Sequence, residues 1–293
     1  MTHQGAASTT RTQAISDAAV VGVPAASGYL ARLAASPLLA GIATESEVVT
    51  GVPAEAIIAT AHSSRADILV LCSHGYTGMT RWALGSVAEK VAFHAPIPVL
   101  VLCQGGPQPD AEHRLRVLAG LDGSSRAEEV ITPAAFVTAA LAPPAQGALH
   151  LMRVVQPAAA SQQEDGPDAH AVLLQQASSY LDATIDRLGN GSLATVLAGL
   201  LPLSSSVALD ADVASAIISA AEHDEEAARA GMAEGYTIIA LATHGLGGVG
   251  RWVMGSITAR VLKASRLPVL IVRPVDIMER SDFTWDSAQL FPM

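Results

Sequence analysis

The chain is 293 residues long, 50% hydrophobic but only 4% aromatic, with a formal charge of −10. Such a length gives room for two ordinary domains with aliphatic cores, and the acidic excess, eight against five basic residues through His113 and nineteen against twelve from Arg114, gives neither half the balance of a nucleic-acid binder. The longest apolar runs, such as Ile68–Cys72 and Val269–Val272, are strand-sized and far short of the ~20 residues of a bilayer span, so no membrane partner is expected.

The stretch from Met1 to Gln13 is polar and Thr-rich, without the apolar core of a secretion signal, which predicts a cytoplasmic protein. An incomplete N-terminal domain is expected over 15–103. Its elements are a helix around Tyr29–Leu33, a strand near Glu45–Val49, a helix from Pro53, a strand over Asp67–Cys72, a loop, a helix, and a last strand at Pro98–Leu100. Ahead of the first helix there is no room for strand, helix and second strand, and Val20–Val23 is at most a remnant strand. Cys72 and Cys103, the only two cysteines, sit at the ends of strand-like runs and read as small buried hydrophobes of a reducing compartment.

Residues 104–113 are polar and rich in Gly and Pro, the composition of a linker. A complete domain is expected over 114–275. It opens with a strand at Arg116–Leu121, a helix at Ser125–Leu141, a strand at Ala148–Val155 and a loop over Gln156–His170. A helix at Ala171–Leu188 follows, which Gly189 and Gly191 can stop by supplying left-handed conformations. Next come a short strand near Ser206–Leu209, a helix from Asp212, a strand at Tyr236–Ala242, a Gly-rich loop, a helix, and the strand Pro268–Val272. On the last helix Val253, Ile257 and Val261, spaced i, i+4 and i+8, predict a stripe facing the sheet. The cluster Glu222-His-Asp-Glu-Glu226 reads as a solvated helix end rather than a metal site. The tail 276–293 carries Phe283, Trp285 and Phe291 among polar residues. Strands alternating with helices predict an α/β fold with parallel sheets covered on both faces.

Comparison of the chain with itself is the most informative step. Ser73-His-Gly-Tyr-Thr-Gly-Met-Thr-Arg-Trp-Ala-Leu-Gly-Ser86 aligns without a gap with Thr243-His-Gly-Leu-Gly-Gly-Val-Gly-Arg-Trp-Val-Met-Gly-Ser256, 170 positions further on. Both segments follow an apolar strand pattern and both lead to Pro-Val-Leu. A period so much longer than the ~20–50 residues of solenoid repeats means a duplicated domain.

Gly245, nine further residues and then Gly255-Ser256 lie on a strand–loop–helix arrangement. Glycines let the backbone approach a ligand, and the amides of a helix start attract anions, phosphate above all. Ser256 and Thr258 can add hydroxyls; Arg251 adds a positive charge or is a surface residue. This pattern resembles the ATP-binding signature of the universal stress protein family, Gly-x2-Gly-x9-Gly-Ser/Thr with an Asp at a strand end near the domain start. Gly245, Gly255, Ser256 and Asp122 fill those places, and the opening Val117-Leu-Ala-Gly120-Leu-Asp-Gly-Ser and the closing Leu-Pro-Val-Leu-Ile-Val-Arg-Pro are also similar to the family's. The first glycine of the signature is replaced by Ala242 in the second copy and by Cys72 in the first.

The resemblance implies two tandem Rossmann-like (adenine nucleotide alpha hydrolase-like) domains, the first incomplete, paired within the chain as in the family's dimer, through the final strand of each sheet, or as a homodimer. It implies an adenine nucleotide, ATP, AMP or another, with Mg at the phosphates. Asp122 and Val154 would lie at the adenosine end with Gly120 in the strand before, Leu241, Ala242, Thr243 and Gly245 under the nucleotide, and Gly255, Ser256, Ile257 and Thr258 around the phosphates. It further implies a stress-response sensor or interaction module. A nucleotide-independent scaffold is the alternative, and a slow ATP hydrolase a third reading; no catalytic residue and no metal ligand is assigned. The first copy keeps Gly75, Gly85 and Ser86 but has no counterpart of Asp122 or Val154, so it is expected to bind weakly or not at all.

Sharper readings of other residues are weaker. Gly245-Leu-Gly-Gly-Val-Gly250 also fits a dinucleotide fingerprint, but the first copy lacks its second and third glycines and only one strand follows it. His74 and His244 stand beside a hydroxyl residue without an acid or nucleophile elbow, and Trp82 and Trp252 read as packing anchors more readily than as base stackers.

Overall fold

The computed structural model describes residues 22–73, 84–103, 115–142, 147–157, 167–197, 203–222, 237–243 and 255–274. The linker 104–113, the tail from 276, Gly245 and the paired histidines and tryptophans of the repeated loop lie outside the described residues. The chain divides into two compact units, Met1–Ala59 and Thr60–Met293.

In the first unit, residues 22–34 lie in helix α1, so at residues 22 and 23 the Val20–Val23 remnant strand is instead helical. A single 3-10 turn follows at Pro37–Leu39, with the Ser36 hydroxyl accepting from the Leu38 amide. Residues 43–50 form no strand, contrary to the expectation at Glu45–Val49. A strand persists only where a neighbour satisfies its ladder groups, and among the described residues no strand pairs with this segment. Helix α2 (Pro53–Ser63) begins with proline, whose missing N–H costs nothing in a first turn.

The second unit is built on one seven-stranded sheet. In chain order its elements are β1 (Leu69–Cys72), α3 (Ser86–His94), β2 (Val99–Leu102), β3 (Leu115–Leu121), α4 (Ser125–Glu128), α5 (Ile131–Leu141), β4 (Gly147–Val155) and α6 (Pro167–Gly189). They continue with α7 (Ala194–Leu197), β5 (Leu203–Leu209), α8 (Val213–Glu222), β6 (Ile238–Ala242), α9 (Ser256–Ala264) and β7 (Val269–Val272). The strand order is β1-β2-β7-β6-β3-β4-β5, and every neighbouring pair is parallel except β2 and β7. These are the two parallel α/β sheets expected from the repeat, joined edge to edge. At the join Leu100 faces Leu270, and these two residues are 170 positions apart, the repeat offset itself. A local two-fold relation between β2 and β7 therefore runs through that pair.

Alternation along the strands sorts the core. Val117, Ala119, Leu121, Leu149, Leu151, Ile238 and Ala240 join one cluster with Val130, Ala134 and Phe136 of the α4–α5 region and Leu181 of α6. Leu118, Gly120, Ile239 and Leu241 point to the opposite face, where Ile217 of α8 meets the Gly120 position.

Three details depart from the sequence reading. The helix expected over Ser125–Leu141 breaks between α4 and α5, because Pro133 has no N–H to give Glu129 and its ring would crowd that carbonyl; the chain tightens there into bonds of Glu129 N to Arg126 O (3.3 Å) and Val130 N to Ala127 O (3.2 Å). Helix α6 does end at Gly189, but among the described residues the glycines with positive φ are Gly41, Gly51 and Gly123, so neither Gly189 nor Gly191 supplies a left-handed stop. On α9 the buried residues are Thr258, Val261 and Leu262, whereas Ile257 is 36% exposed. Of the expected stripe, Val261 is buried as read, Ile257 is not, and Val253 lies outside the described residues; Thr258, about one residue or roughly 100° further round a helix of 3.6 residues per turn, takes the buried place. No helix among the described residues is long and apolar enough to cross a membrane.

Candidate functional site

The carboxyl ends of parallel strands are where open α/β sheets leave a crevice, and β3, β4 and β6 end there side by side. Gly120 pairs with Leu241 and Leu121 with Arg153, which places Asp122, the residue after β3, between the ends of β4 and β6. A Cβ on Gly120 would stand 2.6 Å from Leu241 Cδ2 and 3.4 Å from Ile217 Cδ1. The glycine is therefore needed for close packing beneath the site.

The turn after β3 is shaped by its own side chains. Asp122 Oδ1 accepts from the Ser124 amide (2.9 Å) and from the Ser124 hydroxyl (2.6 Å). The Ser124 oxygen in turn accepts from the Ala127 amide (3.1 Å), capping α4. Between them Gly123 takes φ +95, a conformation that side chains other than glycine rarely adopt. The carboxylate of Asp122 is thereby oriented by the serine two residues on.

From the α6 side the turn is backed by a run of polar contacts. The Arg153 guanidinium lies 3.0 Å from where a Gly123 Cβ would be and 5.0 Å from the Tyr180 ring centroid. Tyr180 donates its hydroxyl proton to Glu128 Oε1 (2.9 Å), and Glu128 Oε2 is paired with Arg187 at 3.1 Å. Burial, and then the Glu128 carboxylate, hold the Tyr180 phenol well above its ordinary pKa, so it remains a proton donor throughout the physiological range.

The β6–α9 junction supplies the other side. Gly255 is the N-cap of α9, and its amide donates to Thr243 O at 2.7 Å. A Cβ there would lie 3.1 Å from that same oxygen, so a side chain at this position would press the closure apart by a few tenths of an ångström. Thr258 is buried and gives its hydroxyl proton to Ala242 O (2.7 Å), fastening α9 to β6. Ser256 and Ile257 open the helix with exposed side chains. The first turn of an α-helix has amides without intrahelical acceptors, and such amides with a serine hydroxyl can hold an anion.

The expected residues thus fall into three groups. Asp122, Val154, Gly255 and Ser256 come together at the carboxyl edge, Val154 half-buried on β4. Gly120, Leu241, Ala242, Thr243 and Thr258 are buried beneath them and shape the floor. Ile257, exposed in the first turn of α9, stands with Ser256 at that edge, and Gly245 lies outside the described residues. Sequence reasoning missed Arg153, Tyr180 and Glu128, whose association depends on β4, α6 and α4 meeting in space; Arg153 beside Val154 was the one available signal. It also left unforeseen the Asp212–Arg260 pair at 2.6 Å, in which hydrogen bonds from Arg260 and then Ser215 hold the Asp212 carboxyl far below the usual carboxylate range. Among the described residues no group of three His, Cys, Asp or Glu could hold a metal ion.

The model of the universal stress protein family matches residues 6–102 and 113–273. A universal stress protein of Methanocaldococcus jannaschii is 44% identical over 62 residues, 21% of this chain and 36% of the relative, so the match spans about a third of that protein's length. One of Mycobacterium tuberculosis is 28% identical over 239 residues, 79% of this chain and 70% of its own. In structure, a universal stress protein of Archaeoglobus fulgidus superposes with a TM-score of 0.52 at 20% identity, over 87% of this chain and 78% of that one, a likeness of fold.

Proposed function

The chain belongs to the universal stress protein family, and from that membership we propose that its C-terminal copy binds an adenine nucleotide, ATP foremost, and works as a stress-response sensor or interaction module. The observation that carries this reading is the adjacency of two junctions. The Asp122–Ser124 turn and the Thr243–Gly255 closure stand on neighbouring strands, β3 and β6, held in register by Gly120 and Leu241. A carboxylate on one side suits hydroxyl and amino donors of adenosine, and an open helix start on the other suits phosphate.

In this reading Asp122 and Val154 meet adenosine, while the Gly255, Ser256 and Ile257 amides and the Ser256 hydroxyl meet the phosphates, with Mg taken up alongside them. Thr258, its proton already given to Ala242 O, holds the helix in place. AMP and other adenine nucleotides share the adenosine end. A second reading, a nucleotide-independent scaffold, is favoured by Ala242, a residue with a methyl group and 8% exposed, where the family signature has its first glycine.

Isothermal titration with Mg-ATP and AMP, beside Asp122→Ala and Ser256→Ala variants, separates the two. One site per chain, weakened in both variants, supports the nucleotide reading. Absence of binding to every adenine nucleotide would leave the scaffold.

A further inference from the structure

Arg153 carries five N–H donors on a planar cation, yet among the described residues its guanidinium forms neither an ion pair nor a hydrogen bond; its contacts are the face of Tyr180 and the Gly123 turn. The acids nearest in the network are engaged otherwise. Glu128 is taken by Tyr180 and Arg187, and Asp122 Oδ1 by Ser124. The guanidinium therefore fills the space between an aromatic ring and a backbone turn, which is a packing duty that a flat cation performs well.

The turn it packs against is drawn in by the Asp122–Ser124 bonds and the Ser124 cap of α4, and Arg153 backs it from the β4 side. Gly123 has the widest conformational freedom of any residue in the loop, and a shift in its φ or ψ would swing Asp122, its immediate neighbour. At the end of α4, the short helix that follows the turn, Glu128 is tied to α6 through Tyr180 and Arg187. The turn and α4 are thus anchored to α6 at Glu128 and backed at Gly123.

We propose that Arg153 is a positioning residue of the nucleotide site, fixing the Gly123 turn so that the Asp122 carboxylate is held in place to meet the adenosine. This rests on the reading that the C-terminal copy binds adenine nucleotides. Because Arg153 acts through Asp122, its removal should weaken adenosine, AMP and ATP by one common factor. A guanidinium that touched phosphate would instead weaken ATP most and adenosine least.

The test is a double-mutant cycle on the full chain, titrated calorimetrically with adenosine, AMP and Mg-ATP, with thermal unfolding followed in parallel. Arg153→Ala is expected to weaken all three about tenfold, about the effect of disturbing one hydrogen bond to a charged group. Arg153→Lys, which keeps a cation over Tyr180, recovers part of that loss. In the Asp122→Ala background, Arg153→Ala should cost less than twofold more, since residues acting through one another are not additive. A loss that grows with phosphate number, additivity with Asp122→Ala, or a lowered melting temperature with unchanged affinities overturns the proposal. Failure of the wild-type chain to bind any of the three overturns the nucleotide reading itself, and this proposal with it.

Discussion

The units β1–α3–β2 and β6–α9–β7 are one strand–helix–strand design built twice, and their backbone bonds agree almost bond for bond. Ser73 N meets Leu102 O and Thr243 N meets Val272 O, each at 2.8 Å; Gly85 N meets Ser73 O and Gly255 N meets Thr243 O, each at 2.7 Å. What differs is the company each keeps. β6 has β3 on its free side, and behind β3 come β4 and β5; among the described residues β1 pairs with β2 alone, at the edge of the sheet. A local motif therefore makes the helix start on its own, but a carboxylate to face it requires the neighbouring strand. The half that carries the glycine signature is not by that fact a nucleotide site.

The largest way to break the second copy is at its floor. Gly120→Val puts a branched side chain where a single Cβ already stands 2.6 Å from Leu241, and it should destabilise the chain by about 3 kcal/mol, as overpacking of a tight core does. Denaturant titration reads this directly.

The two junction glycines come next. Gly255→Val and Gly85→Val each force a Cβ against a carbonyl oxygen, at 3.1 and 2.9 Å, and both should lose roughly 1–3 kcal/mol. Only the Gly255 variant should also lose nucleotide binding, measured by calorimetry; loss in both would show that the first copy is a working site.

A smaller effect is expected at Thr258, which stands where the first copy has Ala88. Thr258→Ala removes the bond to the buried Ala242 oxygen and should cost roughly 1–2 kcal/mol, making the second junction resemble the first. Hydrogen exchange at the start of α9 would report the loosening.

The smallest concerns Asp212 and Arg260, whose arginine stands where the first copy has Lys90. The folded carboxyl titrates below its unfolded value, so its contribution is in place above the ordinary carboxylate range and is lost as pH falls into strong acid. The pair is exposed, and salt should weaken it. In Arg260→Gln the Asp212 titration, followed by NMR, should move up toward an ordinary carboxylate value.

Much of this was legible because duplication doubles the signal. The strands β3, β4, β6 and β7 were each bounded to within two residues by apolar runs ending at Asp122, Gln156, Thr243 and Arg273, and the Gly255-Ser256 helix start was visible twice. Pro133 could have warned of the break between α4 and α5, but the helical periodicity around it concealed the step. The Glu45–Val49 strand failed for a non-local reason: β propensity proposes a strand, and only a neighbour with free ladder groups makes one. Arg153, Tyr180 and Glu128 are separated by 25 residues or more along the chain, and no spacing rule links them. Ile257 was placed on the buried face by counting in fours, while the helix buries Thr258 and Val261 by counting in threes.

The pairing of Leu100 with Leu270 also orders events in time. A ribosome adding about 5–20 residues per second needs roughly 10–30 s to travel from β2 to the strand that β2 will pair with. For that interval Val99–Leu102 is a finished strand with an unpaired edge, the state in which nascent chains find the wrong neighbour. Among the described residues, β1 and α3 are the elements of the first copy that lie against it, so the early half of this protein depends for its protection on the half made last.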